Sequence, residues 1–258
     1  MIRYLQNLCN YYGIDGNLII YRPIENKKQL LAKWVIENGL KNGDIKKEQP
    51  VAEITAGNFG IALAEQCQNL NSKLYLVPLG VFNKHIIQKL SSYNNVEIIH
   101  SKNCRDIKEL QKTLNDVIQQ TGAYSFNQFS NNKQVDFYKT LLGHELDNIK
   151  IDAVFEKVGT GATLQAIKEI LYDSNSNTNF FISKPDARQI ETAHMILSLN
   201  GVEQTHPVDR TEYINNFEQI LQQTENLTNL HYAKLSLFCA VEWLKNNPKK
   251  TAFVFIGD

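Results

Sequence analysis

An α/β fold, built on a mainly parallel sheet with helices on both faces, is the architecture this sequence predicts. Three observations predict it. Short apolar segments alternate with longer helix-like ones along almost the whole chain, the order that buries a parallel sheet between helices. Glycine-bearing turns stand twice between such a segment and the helix after it, at 55–60 and 158–164. The composition, 43% hydrophobic and 21% charged over 258 residues, supplies core for one large domain or two modest lobes.

In chain order, "NLIIY" (17–21) predicts a strand, because a short continuous apolar run suits a strand covered on both faces. A helical stretch follows from about Asn26 to Asn42. "VAEIT" (51–55) predicts the next strand, and a helix starts near Asn58. "KLYLVP" (73–78) leads to the helix "NKHIIQKLSSY", and "VEIIH" (96–100) leads to "DIKELQKTLNDVIQQTG". "DAVFEKV" (152–158) precedes the helix "TLQAIKEILY", and the strand "NFFIS" (179–183) follows a polar loop, "SNSNTN" (174–179). "LHYAKLSLFCAVEWLKNN" is apolar at helical spacing and gives way to a last strand, "TAFVFI" (251–256).

Charge and cysteine usage exclude several classes of function. Lys plus Arg balance Asp plus Glu at 27 each, so no basic footprint for nucleic acid is present. "MIRYLQNLCNYYG" has no long apolar run and no stretch approaches a membrane span, so a cytoplasmic protein without membrane partners is expected. Cys9, Cys67, Cys104 and Cys239 show no CxxC and no metal-ligand spacing, and are expected to be reduced, mostly buried thiols. Asn226-Leu227-Thr228 fits the glycosylation pattern but has no secretion signal to give it meaning.

The two glycine turns carry the chemistry. In "VGTGATL" (158–164), Gly159 and Gly161 let backbone amides face a ligand, and Thr160 and Thr163 add hydroxyls at a helix start. A dinucleotide fold wants a third glycine and an acid after the next strand, and a Walker loop wants Gly-Lys-Ser/Thr; neither is present, so one small phosphate fits better. Thr55-Ala56-Gly57-Asn58-Phe59-Gly60 is a second turn of this kind, suited to a carboxylate, although a tight helix start alone has the same look. A phosphate-bearing cofactor with a carboxylate-bearing substrate suggests pyridoxal phosphate and an amino acid, which requires a Schiff-base lysine. Lys27, Lys28 and Lys33 follow the first strong strand, and the residue pattern alone leaves the choice among them open.

Taken together, these motifs resemble the cysteine synthase and tryptophan synthase β family of fold-type II pyridoxal-phosphate enzymes. In that family a run like Asn-Pro-Ser-Gly-Ser-x-Lys-Asp-Arg carries the lysine. A Thr-Ser-Gly-Asn-Thr-Gly loop follows it, and a Gly-Thr-Gly-Gly-Thr phosphate loop comes later. "KWVIENGLKNGDIKKEQPVAEITAGNFGIALA" runs in register with the family without a gap, which places the lysine at Lys28. The resemblance then implies that Thr55, Ala56, Gly57, Asn58 and Phe59 receive the substrate carboxylate, and that Asn58 also contacts the cofactor's phenolic oxygen. "SFNQF" with "TLLGHEL" resembles the family's Asn-Gln-Phe stretch and following helix, putting Gln128 near the substrate. Gly159, Thr160, Gly161, Ala162 and Thr163 become the phosphate cup.

The resemblance further implies two open, mainly parallel sheets, with a smaller lobe of about 44–148 inserted between 1–43 and 149–258. It implies a homodimer, and β-replacement or β-elimination on a serine- or cysteine-type amino acid, with Lys28 holding the cofactor and moving the α-proton. A serine/threonine dehydratase uses the same core, and a non-catalytic member would bind a ligand or partner instead. The sequence also departs from the family. Gln29-Leu30 replace Asp-Arg, Lys27 adds a second cation, and Ala56 and Phe59 replace two hydroxyl residues. "HMILSLNGVEQTHP" (194–207) has Ser198 and Leu199 where the family has glycines. The turn that meets the pyridine nitrogen falls on His231-Tyr232-Ala233-Lys234, and the chain starts late and stops at Gly257-Asp258, as a shortened member would.

Overall fold

Apolar strands with no polar face need cover on both sides, and the computed structural model of the chain supplies it. The structure describes residues 1–173, 177–183, 196–228, 230 and 233–257. Two units divide the chain, Met1–Asn26 with Asn132–Asp258, and Lys27–Asn131.

In the larger unit, six strands among the described residues form one sheet in the order β1 (Ile2–Tyr4), β2 (Asn17–Tyr21), β9 (Thr251–Phe255), β6 (Ala153–Glu156), β7 (Asn179–Ser183), β8 (Val202–Thr205). All neighbours are parallel except β1 against β2. Side chains alternate between faces along each strand. Leu18, Ile20, Phe155, Phe181, Ala252 and Val254 enter one core with residues of α1 (Gln6–Tyr11), α9 (Phe217–Glu225) and α10 (Ala233–Lys245). Ile19, Tyr21, Val154, Phe180, Phe253 and Phe255 enter a second core with α6 (Lys133–Leu146) and α7 (Ala162–Asp173). α8 (Arg210–Asn215) precedes α9. The carboxylate of Asp152, which Lys250 and the Thr251 amide meet at 2.9 Å each, pins the start of β6 to that of β9.

The smaller unit has three parallel strands among the described residues, in the order β3 (Val51–Thr55), β4 (Leu74–Pro78), β5 (Val96–Ile98). Ala52, Ile54 and Val77 pack on Leu110, Leu114 and Val117 of α5 (Ile107–Thr121). On the other face α3 (Asn58–Asn69) lies against β3 and β4, with α2 (Lys27–Asn42) packed on α3 and α4 (Lys84–Leu90) beside it. After α5, Gly122 turns left-handed (φ 66°) and Tyr124 runs parallel beside Val51. Its carbonyl accepts the Ala52 amide at 2.8 Å.

The two mainly parallel, helix-flanked sheets are the class the sequence predicts. The unit boundary falls about one helix earlier at both edges than the expected 44–148. The reason is packing, since α2 sits on α3 and α6 on α7, so each helix joins the unit it buries itself against. Cys9, Cys67 and Cys239 are buried free thiols, and Cys104 is half-buried. Among the described residues no helix is long and apolar enough to cross a membrane.

Candidate active site

The smaller unit gathers Lys28, Thr55, Gly57, Asn58, Phe59 and Gln128 around the start of α3. Thr55 ends β3 fully buried, and its hydroxyl accepts the amides of Gly57 at 3.0 Å and Gly60 at 3.1 Å. Both amides therefore have an acceptor inside the turn. Those of Asn58 and Phe59 lie in the first helical turn, where amides have no acceptor within the helix.

The two glycines have separate reasons. Gly57 holds φ 137°, a conformation L side chains rarely adopt, and a Cβ there would stand 2.2 Å from Ile86 Cδ1. Gly60 lets α3 settle on the sheet, since its Cβ would stand 2.7 Å from Thr55 Cγ2. Ala56 and Asn58 are exposed, whereas Phe59 is 2% exposed, its ring turned inward toward Phe126 at 6.3 Å. So the residue that replaces a family threonine adds its ring to the floor of the turn.

Above that ring sits Lys28, its Nζ 5.3 Å from the Phe59 centroid and 3.2 Å from Gln128 Oε1. The Gln128 carboxamide is held from its other end, where Nε2 donates to the Ile54 carbonyl at 2.9 Å. Lys33 is exposed further along α2. Geometry thus separates Lys28 from Lys33, which the residue pattern alone could not do.

Glu53, in the middle of β3, went unnoticed in the sequence. Its carboxylate is wholly buried and accepts the Asn127 amide at 2.9 Å and the Gln128 amide at 3.1 Å. Burial pushes this acid up to about 7, against the pull of the amides of Gln128, Asn127 and Ile54 and of the Lys28 charge. The available signal was one acid in a strand otherwise of apolar residues and threonine.

In the larger unit the loop after β6 carries the second turn. Gly161 takes φ 81° and its carbonyl accepts the Gln165 amide at 2.9 Å, starting α7. Gly159 is exposed with nothing within 4 Å of a built Cβ, and Ala162 is buried. Thr160 and Thr163 are both buried, the former donating its hydroxyl to Gln134 Oε1 at 3.1 Å. Tyr138, fully buried under the loop, bonds Thr163, and burial beside Glu156 pushes its hydroxyl well above the usual phenol range. An open glycine, a left-handed glycine and a helix start form a cradle that fits one phosphate group. Further along, the Ser198 amide donates to Gln165 Oε1 at 3.0 Å and its carbonyl accepts Lys168 Nζ at 2.9 Å. His194, His231 and Tyr232 lie outside the described residues.

The fold defines a class, the α/β proteins with two mainly parallel, helix-flanked sheets, here with a lysine near one helix start and a glycine turn at another. The sequence profile of the family described as pyridoxal-phosphate dependent enzyme matches residues 21–214, and the chain belongs to that family. A cysteine synthase of Staphylococcus aureus (strain Mu50 / ATCC 700699) is 25% identical over 172 residues, taking in 65% of this chain and 55% of the relative. The chain spans about half the length of the curated relatives it matches. Among solved structures, an O-ureido-L-serine synthase superposes with a TM-score of 0.78 at 15% identity, over 100% of this chain and 88% of the other. An O-acetylserine dependent cystathionine beta-synthase from Helicobacter pylori gives 0.73 at 18% identity, over 97% and 90%. At these identities the structural likeness speaks for the fold.

Proposed function

We propose that this chain binds pyridoxal phosphate and catalyses β-replacement or β-elimination on a serine- or cysteine-type amino acid. One observation carries the reading. Lys28 is held at 3.2 Å from Gln128 and over Phe59, in the same unit as the first turn of α3. The family membership and the names of the relatives, a cysteine synthase and an O-ureido-L-serine synthase, support the chemistry.

In this reading each residue has one task. Lys28 supplies the amine that holds the cofactor and then moves the α-proton of the amino acid. The cofactor, when bound, supplies the electron sink for that step. Gly159, Thr160, Gly161, Ala162 and Thr163 take its phosphate. Thr55 shapes the turn, Ala56 and Gly57 keep it open, and the amides of Asn58 and Phe59 take the substrate carboxylate. The Asn58 side chain reaches the cofactor's phenolic oxygen, and Gln128 borders the substrate. A homodimer in the cytoplasm belongs to the same reading.

The non-catalytic reading is kept because Thr55 occupies two amides of the loop, and Ala56 and Phe59 bring no hydroxyl to it. Borohydride reduction of protein loaded with pyridoxal phosphate, followed by peptide mass analysis, tests the first step. The adduct is expected on Lys28, lost in Lys28→Ala and kept in Lys27→Ala; an adduct on neither lysine removes the assignment. Titration with O-acetylserine to high concentration tests the second. A change in the visible band with release of acetate supports catalysis, and a bound cofactor that never responds makes the chain a binding protein.

A further inference from the structure

Glu53 takes no part in the reading above, yet its wholly buried carboxylate bonds directly to Gln128, the partner of Lys28. It stands on β3, and the two residues whose amides it accepts lie 74 and 75 positions further along the chain. The segment it holds is irregular. Asn127 is left-handed at φ 55°, and its carbonyl accepts the amides of Ser130 and Asn131 at 3.0 Å each. The Asn131 carboxamide closes the same turn on the Phe126 carbonyl at 2.8 Å. A left-handed asparagine and two consecutive amides turned inward describe a loop that needs an internal acceptor. Glu53 is that acceptor, since both its oxygens are used, one on each amide.

What the anchored loop presents is Gln128. Its backbone is tied to Glu53 and its Nε2 to the Ile54 carbonyl, and its carboxamide oxygen accepts from Lys28 Nζ at 3.2 Å. Strand β3 thus grips the same residue twice, through the side chain of Glu53 and the main chain of Ile54.

We propose that Glu53 is a positioning residue for Lys28. It fixes the 126–129 turn through the amides of Asn127 and Gln128, and the Gln128 carboxamide in turn sets where the Lys28 amine stands. The placement stands on geometry within one unit; its use in catalysis rests on the proposed role of Lys28. The groups facing Glu53 suit this task. Lys28 contributes an attractive charge, and the phenol of Tyr124 is pushed up to about 12, chiefly by burial, with Asp44 and Glu53 adding to it.

The test reads the amine itself, without cofactor. Reductive methylation with formaldehyde at neutral pH, followed by peptide mass analysis, gives the labelling of Lys28 relative to exposed Lys33. In Glu53→Gln one oxygen becomes a donor that opposes an inward amide, so Gln128 loses its fixed direction and Lys28 its fixed acceptor. Labelling of Lys28 should then rise about tenfold against Lys33. Gln128→Met should raise it in the same direction, and the double variant should add little to the larger single effect. A folded Glu53→Gln with unchanged Lys28 labelling overturns the proposal. Should that variant not fold, unchanged labelling in Gln128→Met overturns it equally, because Glu53 acts only through Gln128. Loading the same variants with pyridoxal phosphate separates the two readings. Wild-type protein that forms no borohydride-fixed adduct removes the role of Lys28, whatever the methylation ratios show about its placement.

Discussion

Replacing Gly57 with alanine tests the turn that starts α3. The new methyl meets two obstacles. The backbone at φ 137° is one that L residues rarely adopt, and such a conformation costs about 1–3 kcal/mol. The Cβ also falls 2.2 Å from Ile86 Cδ1, and forcing extra bulk into a packed site costs about 1–3 kcal/mol more. The sum is roughly 4 kcal/mol, a large part of the stability of an ordinary domain. The assay is urea unfolding followed by tryptophan fluorescence. Trp34 belongs to the smaller unit and Trp243 to the larger, so Trp243→Phe leaves a reporter on the unit carrying the mutation. With a slope of about 3 kcal/mol per molar urea, the midpoint should fall by more than about 1 M. Ile86→Val removes the nearest atom and should restore part of that loss in the double variant, leaving the backbone share. A Gly57→Ala protein within about 1 kcal/mol of wild type would refute both the φ and the contact on which the estimate rests.

Other perturbations have equally definite outcomes. Glu53 is raised to about 7 from its ordinary 4.5, so the folded protein binds its proton more tightly than the unfolded chain does. Stability should therefore be full below about pH 4.5 and fall by about 3 kcal/mol as pH rises to 7, read as urea midpoints, with the slope gone in Glu53→Gln. Gly159→Asp places a carboxylate where nothing lies within 4 Å of the Cβ. It should fold normally yet weaken pyridoxal phosphate uptake by several kcal/mol, measured by absorbance titration. Phe59→Thr restores the family hydroxyl but empties a buried ring site, and should cost about 3 kcal/mol in urea unfolding. Phe59→Leu should cost less and is the better probe of the ring beneath Lys28.

What could be read in advance follows from how local each cause is. β2, β3 and β9 were legible because Leu18, Ile19, Ile20 and their counterparts fill both faces of a sheet, leaving continuous apolar runs. β8 was not, since Val202, Glu203, Gln204 and Thr205 show no apolar pattern and none of them is buried. β1 and α1 are too short to carry a period. In the site, Gly57 announced itself through its turn, and Gly159 and Gly161 through spacing. Glu53 did not, because the amides that justify burying it come from a loop 74 residues away. The resemblance put Phe59 in the loop that receives the substrate carboxylate, without saying where its ring goes. Its inward turn depends on Phe126, a neighbour that only the folded chain supplies.

The place of β9 in the larger sheet has a consequence for how the molecule is made. This strand, made after β2 and β6, lies between them and pairs with both. Until β9 is made, β2 has no parallel partner, and each of the two cores lacks the side chains β9 brings to it, Ala252 and Val254 on one face and Phe253 and Phe255 on the other. Residues 27–131, by contrast, form one uninterrupted run that owes nothing to later sequence for its own strands. Translation therefore delivers a finished small unit first and holds the large one open until β9 is made, with the 158–164 turn already emerged but its sheet incomplete. A nascent chain stalled before Thr251 should protect Lys27–Asn131 from protease and leave β2 and β6 open to cleavage.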